Sequence, residues 1–320
     1  MRVRKRLSLK EFLEENWLPT IQKTVRETTF AGYENHVRNH IVPYLGDRAL
    51  SRLSASDLNT LYSELLARGH ARDGRGLSAA TVKRVHATLH RALGDAVRWD
   101  LIGANPAAKA DPPRQASMME MRTWTARQLA TFLEFVAGDE LQVLWTLLAT
   151  TGMRRGEALG VRWRDVDLSR NSLAVRQCLV PVGYKTRIVP PKTSRGRRVI
   201  ALDSTTASLL DEHKRSGRLT NDDAFVFVDQ QGSPWHPVAI SKRFARLVRE
   251  TDLPLIRLHD LRHTHATLAL EAGIHPKVVS ERLGHATVSL TLDVYSHALE
   301  HMQHDAAARV SALVFGDGSR

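Results

Sequence analysis

Thr151-Gly152-Met153-Arg154-Arg155-Gly156-Glu157-Ala158-Leu159 ends one helix and begins another within a few residues. The apolar stretch from Leu141 to Thr150 predicts a helix that stops at Gly152, and Arg154 stands at the start of the next. An arginine in that place adds its guanidinium fork to the exposed amides of a helix N-terminus, a cradle suited to phosphate oxygens. Taken alone, a cation at a helix start is ordinary surface charge. The stretch acquires meaning only beside three segments further along the chain.

In the first of these, Tyr184 to Leu202 carries Lys185, Arg187, Lys192, Arg195, Arg197 and Arg198 and no acid, which on a β-hairpin makes a contact surface for backbone phosphates. One such ammonium can also give a proton to a leaving oxygen. In Leu258-His259-Asp260-Leu261-Arg262-His263-Thr264-His265, His259 and Arg262 are three apart and share a face at a helix start, so both can reach one phosphate. No cysteine and no HExxH arrangement accompanies these histidines, so no metal is expected. Finally, His285 stands after a glycine stop at Gly284, and Tyr295 lies ten residues on. A lone tyrosine at helical spacing is usually half-buried core.

Outward from these segments, the first hundred residues read as helices alone. Ser8-x-x-Glu11 is a capping box ahead of Leu9, Phe12, Leu13 and Trp17; Phe30, Tyr33, Val37 and Ile41 form a second stripe ended by Pro43 and Gly46. Ser56 is expected to cap a third helix that Gly69 stops, and a fourth runs from Ser78 to Trp99. Ala107 to Arg122, with Pro112-Pro113, reads as a linker, and Thr125-x-x-Gln128 opens a new unit. There, Ser172 to Val180, Tyr184 to Val189 and Arg197 to Leu202 alternate like strands of one small antiparallel sheet. Helices return around 205–218, 238–250 and from Asp260 onward. The second domain is therefore mixed α+β.

The chain has 320 residues, 42% of them hydrophobic, enough for two ordinary cores. Its formal charge is +12, with 20 cations against 13 acids in residues 1–122 and 26 against 21 beyond. Two basic domains on a linker point to a polyanionic partner. A single cysteine, Cys178, rules out an internal disulfide framework and fits a reducing, cytoplasmic setting. No apolar run approaches the roughly 18 residues needed to cross a bilayer, and the basic N-terminus leads into no apolar signal region. No membrane partner is expected.

The four segments in this order closely resemble the tyrosine recombinase (phage integrase) family, across Thr151 to His297. The resemblance implies catalytic roles for Arg154 in the first arginine motif, Lys192 in the hairpin, His259 and Arg262 in the HxxR box, His285, and Tyr295 as nucleophile. It implies a SAM-like, four-helix core-binding domain over 1–107, a linker over 108–122, a catalytic domain over 123–297, and a C-terminal helix and tail over 298–320. Lys185, Arg187, Arg195, Arg197 and Arg198 are then DNA contacts. The implied partners are double-stranded DNA with inverted-repeat core sites, a homotetramer on two duplexes, and an excisionase or host DNA-bending protein. No cofactor is implied. Many integrases carry a further N-terminal domain for arm-type sites. Here the core-binding helices begin almost at Met1, the layout of simple Xer-like recombinases or of a fragment.

The chemistry is sound without the family. A phenol, of pKa about 10, is a poor nucleophile at neutral pH, and attack on a phosphodiester concentrates charge that preorganised cations stabilise. The resemblance implies strand cleavage and rejoining through a 3′-phosphotyrosyl ester on Tyr295, with integration or excision of a mobile element as its role. Alternatives are a Xer-like resolvase of chromosome or plasmid dimers, a relaxase resembling type IB topoisomerases, and a catalytically silent DNA-binding regulator. Past Tyr295, Leu299, Met302, Ala306, Val310 and Leu313 recur at helical steps. Such a helix either folds on its own core or docks on a neighbouring protomer.

Overall fold

The computed structural model describes residues 7–69, 74–114, 122–183, 185–191, 193–217, 221–285, 287–289, 292 and 310–316. The chain divides into two compact units, Met1–Glu120 and Met121–Arg320.

In the first unit the Ser8 hydroxyl accepts from the Glu11 amide (3.1 Å) and Glu11 Oε2 from the Ser8 amide (2.9 Å), so two orphan amides are satisfied at once. Helix α1 (Leu9–Glu11) passes through wider π turns at Phe12–Trp17 into α2 (Leu18–Ile21). The same happens between α3 (Glu27–His36) and α4 (Val42–Leu45), joined by π turns at Val37–Ile41. Pro43 lies in the first turn of α4, where a missing amide hydrogen costs nothing, so the helix runs through to Gly46. Helix α5 (Ala55–Arg68) is capped by Ser54 rather than Ser56: Ser54 and Asp57 exchange amide bonds at 3.0 and 3.2 Å. Ser78 caps α6 (Ala79–Arg98).

These helices bury Phe12, Trp17, Leu61, Val85 and Leu89, at about 1.5–3 kcal/mol each. The Trp17 indole donates to buried Asp95 (2.8 Å), which satisfies the one polar atom the ring brings into the core. Ala107 and Ala110 pack on this core, and the Asp111 amide donates to Asn59 (2.8 Å).

In the second unit, α7 (Ala126–Phe135) opens with the Thr125–Gln128 capping box and α8 (Gln142–Thr151) runs to Gly152. Helix α9 (Arg155–Leu159) begins three residues later. The strands are β1 (Val166–Asp167), β2 (Ser172–Val175), β3 (Cys178–Val182), β4 (Lys185–Val189) and β5 (Arg198–Ala201). They form two antiparallel sheets, not one: β1-β2-β5, with Leu173 opposite Ile200, and the hairpin β3-β4.

The expected strand Ser172–Val180 breaks at Arg176-Gln177 because β3 leaves its neighbours to lie on α9. Gln177 Nε2 donates to the Gly160 carbonyl (2.9 Å), and the Leu179 carbonyl comes so near Gly156 that a Cβ there would sit 2.6 Å away. Helices α10 (Ser204–Ser216), α11 (Pro237–Arg249), α12 (Asp260–Glu271) and α13 (Pro276–Leu283) complete the unit. Its core centres on Trp124, Phe132, Trp145 and Phe244, whose rings meet at centroid distances of 5.1 to 6.2 Å. No described helix is long and apolar enough to cross a membrane.

Candidate active site

The corner between α8 and α9 is possible because residue 152 is glycine. Its φ is +65°, and a Cβ would lie 2.6 Å from Leu283 Cδ2 and 2.7 Å from His265 Cδ2. The turn therefore presses against α12 and α13, and it delivers Arg154 to the N-terminal cap position of α9.

Arg262 closes the corner from below. Its side chain is buried; Nη1 donates to the Gly152 carbonyl (2.8 Å) and Nη2 to the Leu283 carbonyl (2.8 Å). One cation thus sits against the carbonyl ends of both α8 and α13, where helix dipoles favour positive charge. Gly284, at φ +68°, turns the chain out of α13, and His285 comes next with its amide on the Ser280 carbonyl (3.0 Å). The first arginine motif, the HxxR box and the glycine-histidine turn converge on the Arg262 guanidinium.

Electrostatics agree with that convergence. Burial pushes the His285 imidazole down to about 4, with Arg262 and Arg154 the next causes. His259 lies at the start of α12, where surrounding atoms strip water from the ring. That desolvation, then Arg262, holds its pKa below the ordinary value; Asp260 partly offsets this and Arg154 adds to it. Both imidazoles are therefore neutral at pH 7, and the same two guanidiniums act on each. His263 stacks edge-on against His259 at 5.0 Å and is likewise lowered to about 4, chiefly by burial. Asp260 pins the start of this helix by accepting from the Arg257 amide and guanidinium, each at 2.7 Å. Such a site stabilises added negative charge and offers neutral rings to accept or share a proton.

Lys185 and Arg187 are exposed on β4, and Arg195 and Arg197 are placed ahead of β5, in and just after a 3₁₀ turn. The cationic run is thus spread over a hairpin strand, a 3₁₀ turn and a strand of the other sheet. Arg198 departs from the expected placement as a DNA contact. Its side chain is 7% exposed and turned inward, with Nη2 on Glu157 Oε2 (2.9 Å), Nε on the Arg282 carbonyl (2.6 Å) and Nη1 on the Gly196 carbonyl (3.1 Å). Charge patterning alone does not separate an inward arginine from an outward one. Lys192, Tyr295, Leu299, Met302 and Ala306 lie outside the described residues.

Three residues that sequence reasoning passed over belong to the site. Glu157, 2% exposed, accepts from Arg154 Nη1 (2.8 Å) and from Arg198, and its Oε2 also takes the Arg154 amide (2.9 Å). Burial pushes its carboxyl up, but the two guanidiniums outweigh that and keep it ionised. Its place three residues after the helix start was a readable capping signal. His265 and Arg282 join α12 and α13 to the last turn of α8, and no local pattern marks them.

Residues 122–302 match the phage integrase family, and residues 8–66 match its N-terminal SAM-like domain. A tyrosine recombinase XerC-like protein of Caldanaerobacter subterraneus is 26% identical over 94% of this chain and 82% of its own length. The ICEBs1 integrase of Bacillus subtilis is 24% identical, covering 88% of this chain and 78% of its own. Among solved structures, the Tn1549 transposon integrase in complex with a circular intermediate DNA superposes with a TM-score of 0.79. That match is 24% identical and covers 95% of this chain and 99% of that one.

Proposed function

Because this chain belongs to the phage integrase family, the tyrosine recombinases that cut and rejoin DNA, we propose that Arg154, Arg262 and His285 hold the scissile phosphate while Tyr295 attacks it. The carrying observation is the Arg262 guanidinium bonded to both the Gly152 and Leu283 carbonyls, which draws the Arg154 and His285 segments to one point. In the proposed step the Tyr295 phenol oxygen bonds to phosphorus and its proton passes to neutral His259. The bond from phosphorus to the 5′-oxygen breaks, and Lys192 protonates that oxygen. A 3′-phosphotyrosyl ester and a 5′-hydroxyl result. Attack by a second 5′-hydroxyl reverses the step, so the ester conserves the bond and rejoining needs no ATP. Lys185, Arg187, Arg195 and Arg197 position the duplex through its phosphates.

The substrate is a core site of inverted repeats, bound by a tetramer on two duplexes in the cytoplasm, with an excisionase or a DNA-bending protein biasing direction. The role is integration or excision of a phage or other mobile element, supported by the ICEBs1 integrase among the relatives. The XerC-like relative favours a second role, resolution of chromosome or plasmid dimers. Direct repeats flanking the gene would mark an integrated element; their absence beside a dimer-resolution site would mark the other role. The chemistry is tested with a nicked suicide substrate on a denaturing gel. Tyr295→Phe should abolish the covalent band while half-site binding stays within about threefold, since only one hydroxyl is lost. A surviving band would mean another nucleophile.

A further inference from the structure

Arg282 lies on α13 one residue before Leu283, whose carbonyl Arg262 holds, and three before His285. Its guanidinium meets three other elements. Nη1 donates to the Ala201 carbonyl at the end of β5 (2.9 Å) and Nη2 to the Thr150 carbonyl in the last turn of α8 (3.1 Å). Nε donates to His265 Nε2 on α12 (3.3 Å). An arginine only donates, so this imidazole nitrogen accepts. The ring's one proton then sits on Nδ1, which donates to the Ala149 carbonyl (3.1 Å).

Three carbonyls at the end of α8 are thus held by side chains. Ala149 is held by His265, Thr150 by Arg282 and Gly152 by Arg262, although a helix leaves its last carbonyls without intrahelical partners. Two of these three side chains come from α12 and one from α13. The Arg282 carbonyl itself is held by Arg198, the partner of Glu157, which grips Arg154. A shift at residue 282 would therefore pass to the Arg262 head group, to the turn carrying His285, and to the Arg154 corner.

We propose that Arg282 and His265 form a positioning pair for the scissile phosphate, fixing Arg262 and His285 at their working distance from Arg154. The pair touches no substrate. It acts by preventing the last turn of α8 and the end of α13 from sliding apart, where a misplacement of about 1 Å costs on the order of a hundredfold in rate. The inference rests on the reading of Arg154, Arg262 and His285 as the phosphate cradle.

The test compares two half-site suicide substrates, one with a normal scissile phosphate and one with a methylphosphonate. In the second, a methyl group replaces a non-bridging oxygen and one negative charge is gone, so less depends on well-placed cations. The readout is the ratio of covalent-complex formation rates on the two substrates at saturating DNA. Loss of folded protein scales both rates together and leaves the ratio unchanged.

Arg282→Gln should lower the ratio by about tenfold or more while half-site Kd stays within about threefold. His265→Phe, which keeps a ring but neither donates nor accepts, should do the same. His265→Gln, whose amide can donate to Ala149 and accept from Arg282, should restore most of it. A ratio unchanged in both Arg282→Gln and His265→Phe would overturn the proposal, as would a His265→Gln variant no better than His265→Phe. Should Arg282→Gln fail to fold, the two His265 variants decide alone. Arg262→Gln run in parallel separates the premises: if it too leaves the ratio unchanged, the cradle reading fails, and if it alone lowers the ratio, only the positioning pair does.

Discussion

Glu157 carries more of the site than its neighbours because it is a carboxylate buried between two guanidiniums. Removing its charge leaves Arg198, 7% exposed, with only carbonyl partners. Breaking a buried ion pair from one side costs about 3–5 kcal/mol, since the remaining charge keeps its desolvation penalty. Glutamine retains one oxygen acceptor, so Glu157→Gln should destabilise the protein by about 3 kcal/mol, read as a lower midpoint in denaturant with an unchanged slope. A loss below about 1 kcal/mol would contradict this. At this scale the sequence was readable where a residue has a local reason for its identity. Gly152 had to adopt a positive φ, and Arg154 had to stand just past it. The inward turn of Arg198 and the bonds of Arg282 have long-range causes, with partners 41 and 132 positions away in the chain. No pattern of neighbours announces them.

Elements were legible by the same rule. Capping boxes at Ser8 and Thr125 and the glycine stops at Gly69 and Gly152 show where helices begin and end. Ser54 and Ser56 both stand before an apolar stripe, and the choice fell to Asp57, which reaches back to the Ser54 amide. The split of the sheet at Gln177 depends on the backbone of α9, a contact that strand alternation does not encode. Packing α12 and the α13 turn together also buries histidines in neutral form, and this gives stability a pH dependence. His263, His265 and His285 are each lowered to about 4 from an ordinary 6.5, first by burial and then by nearby charge. Below pH 6.5 the unfolded chain binds protons that the folded one refuses, so stability is full above 6.5 and is lost as pH falls toward 4. Thermal midpoints should therefore be level above about pH 7 and fall steadily between about 6.5 and 4.5, with a shallower fall in His265→Gln. A flat profile down to about pH 4.5 would show that these rings are protonated in the folded protein.

At the scale of the whole molecule the question is what the chain does past Tyr295, the proposed nucleophile. Among the described residues, Val310 to Phe315 are helical and expose Val310 (59%), Leu313 (87%), Val314 (65%) and Phe315 (82%). That is the opposite of a terminal helix folded on its own core. Four apolar side chains left in water are worth about 1.5–3 kcal/mol each if another surface covers them, before the costs of ordering and association. The sum is several kcal/mol before those costs, a scale that can bias assembly and still reverse. A segment placed soon after Tyr295 and docked on a neighbouring protomer would couple one tyrosine to the next. A chain ended at His297 should therefore bind a half-site within about threefold of the full chain, because the basic surfaces proposed to contact phosphates are intact. It should form no synaptic complex and exchange no strands. Native gels with half-site and paired full-site DNA separate the two effects. Synapsis and recombination at the normal rate by the shortened chain would exclude docking through this segment.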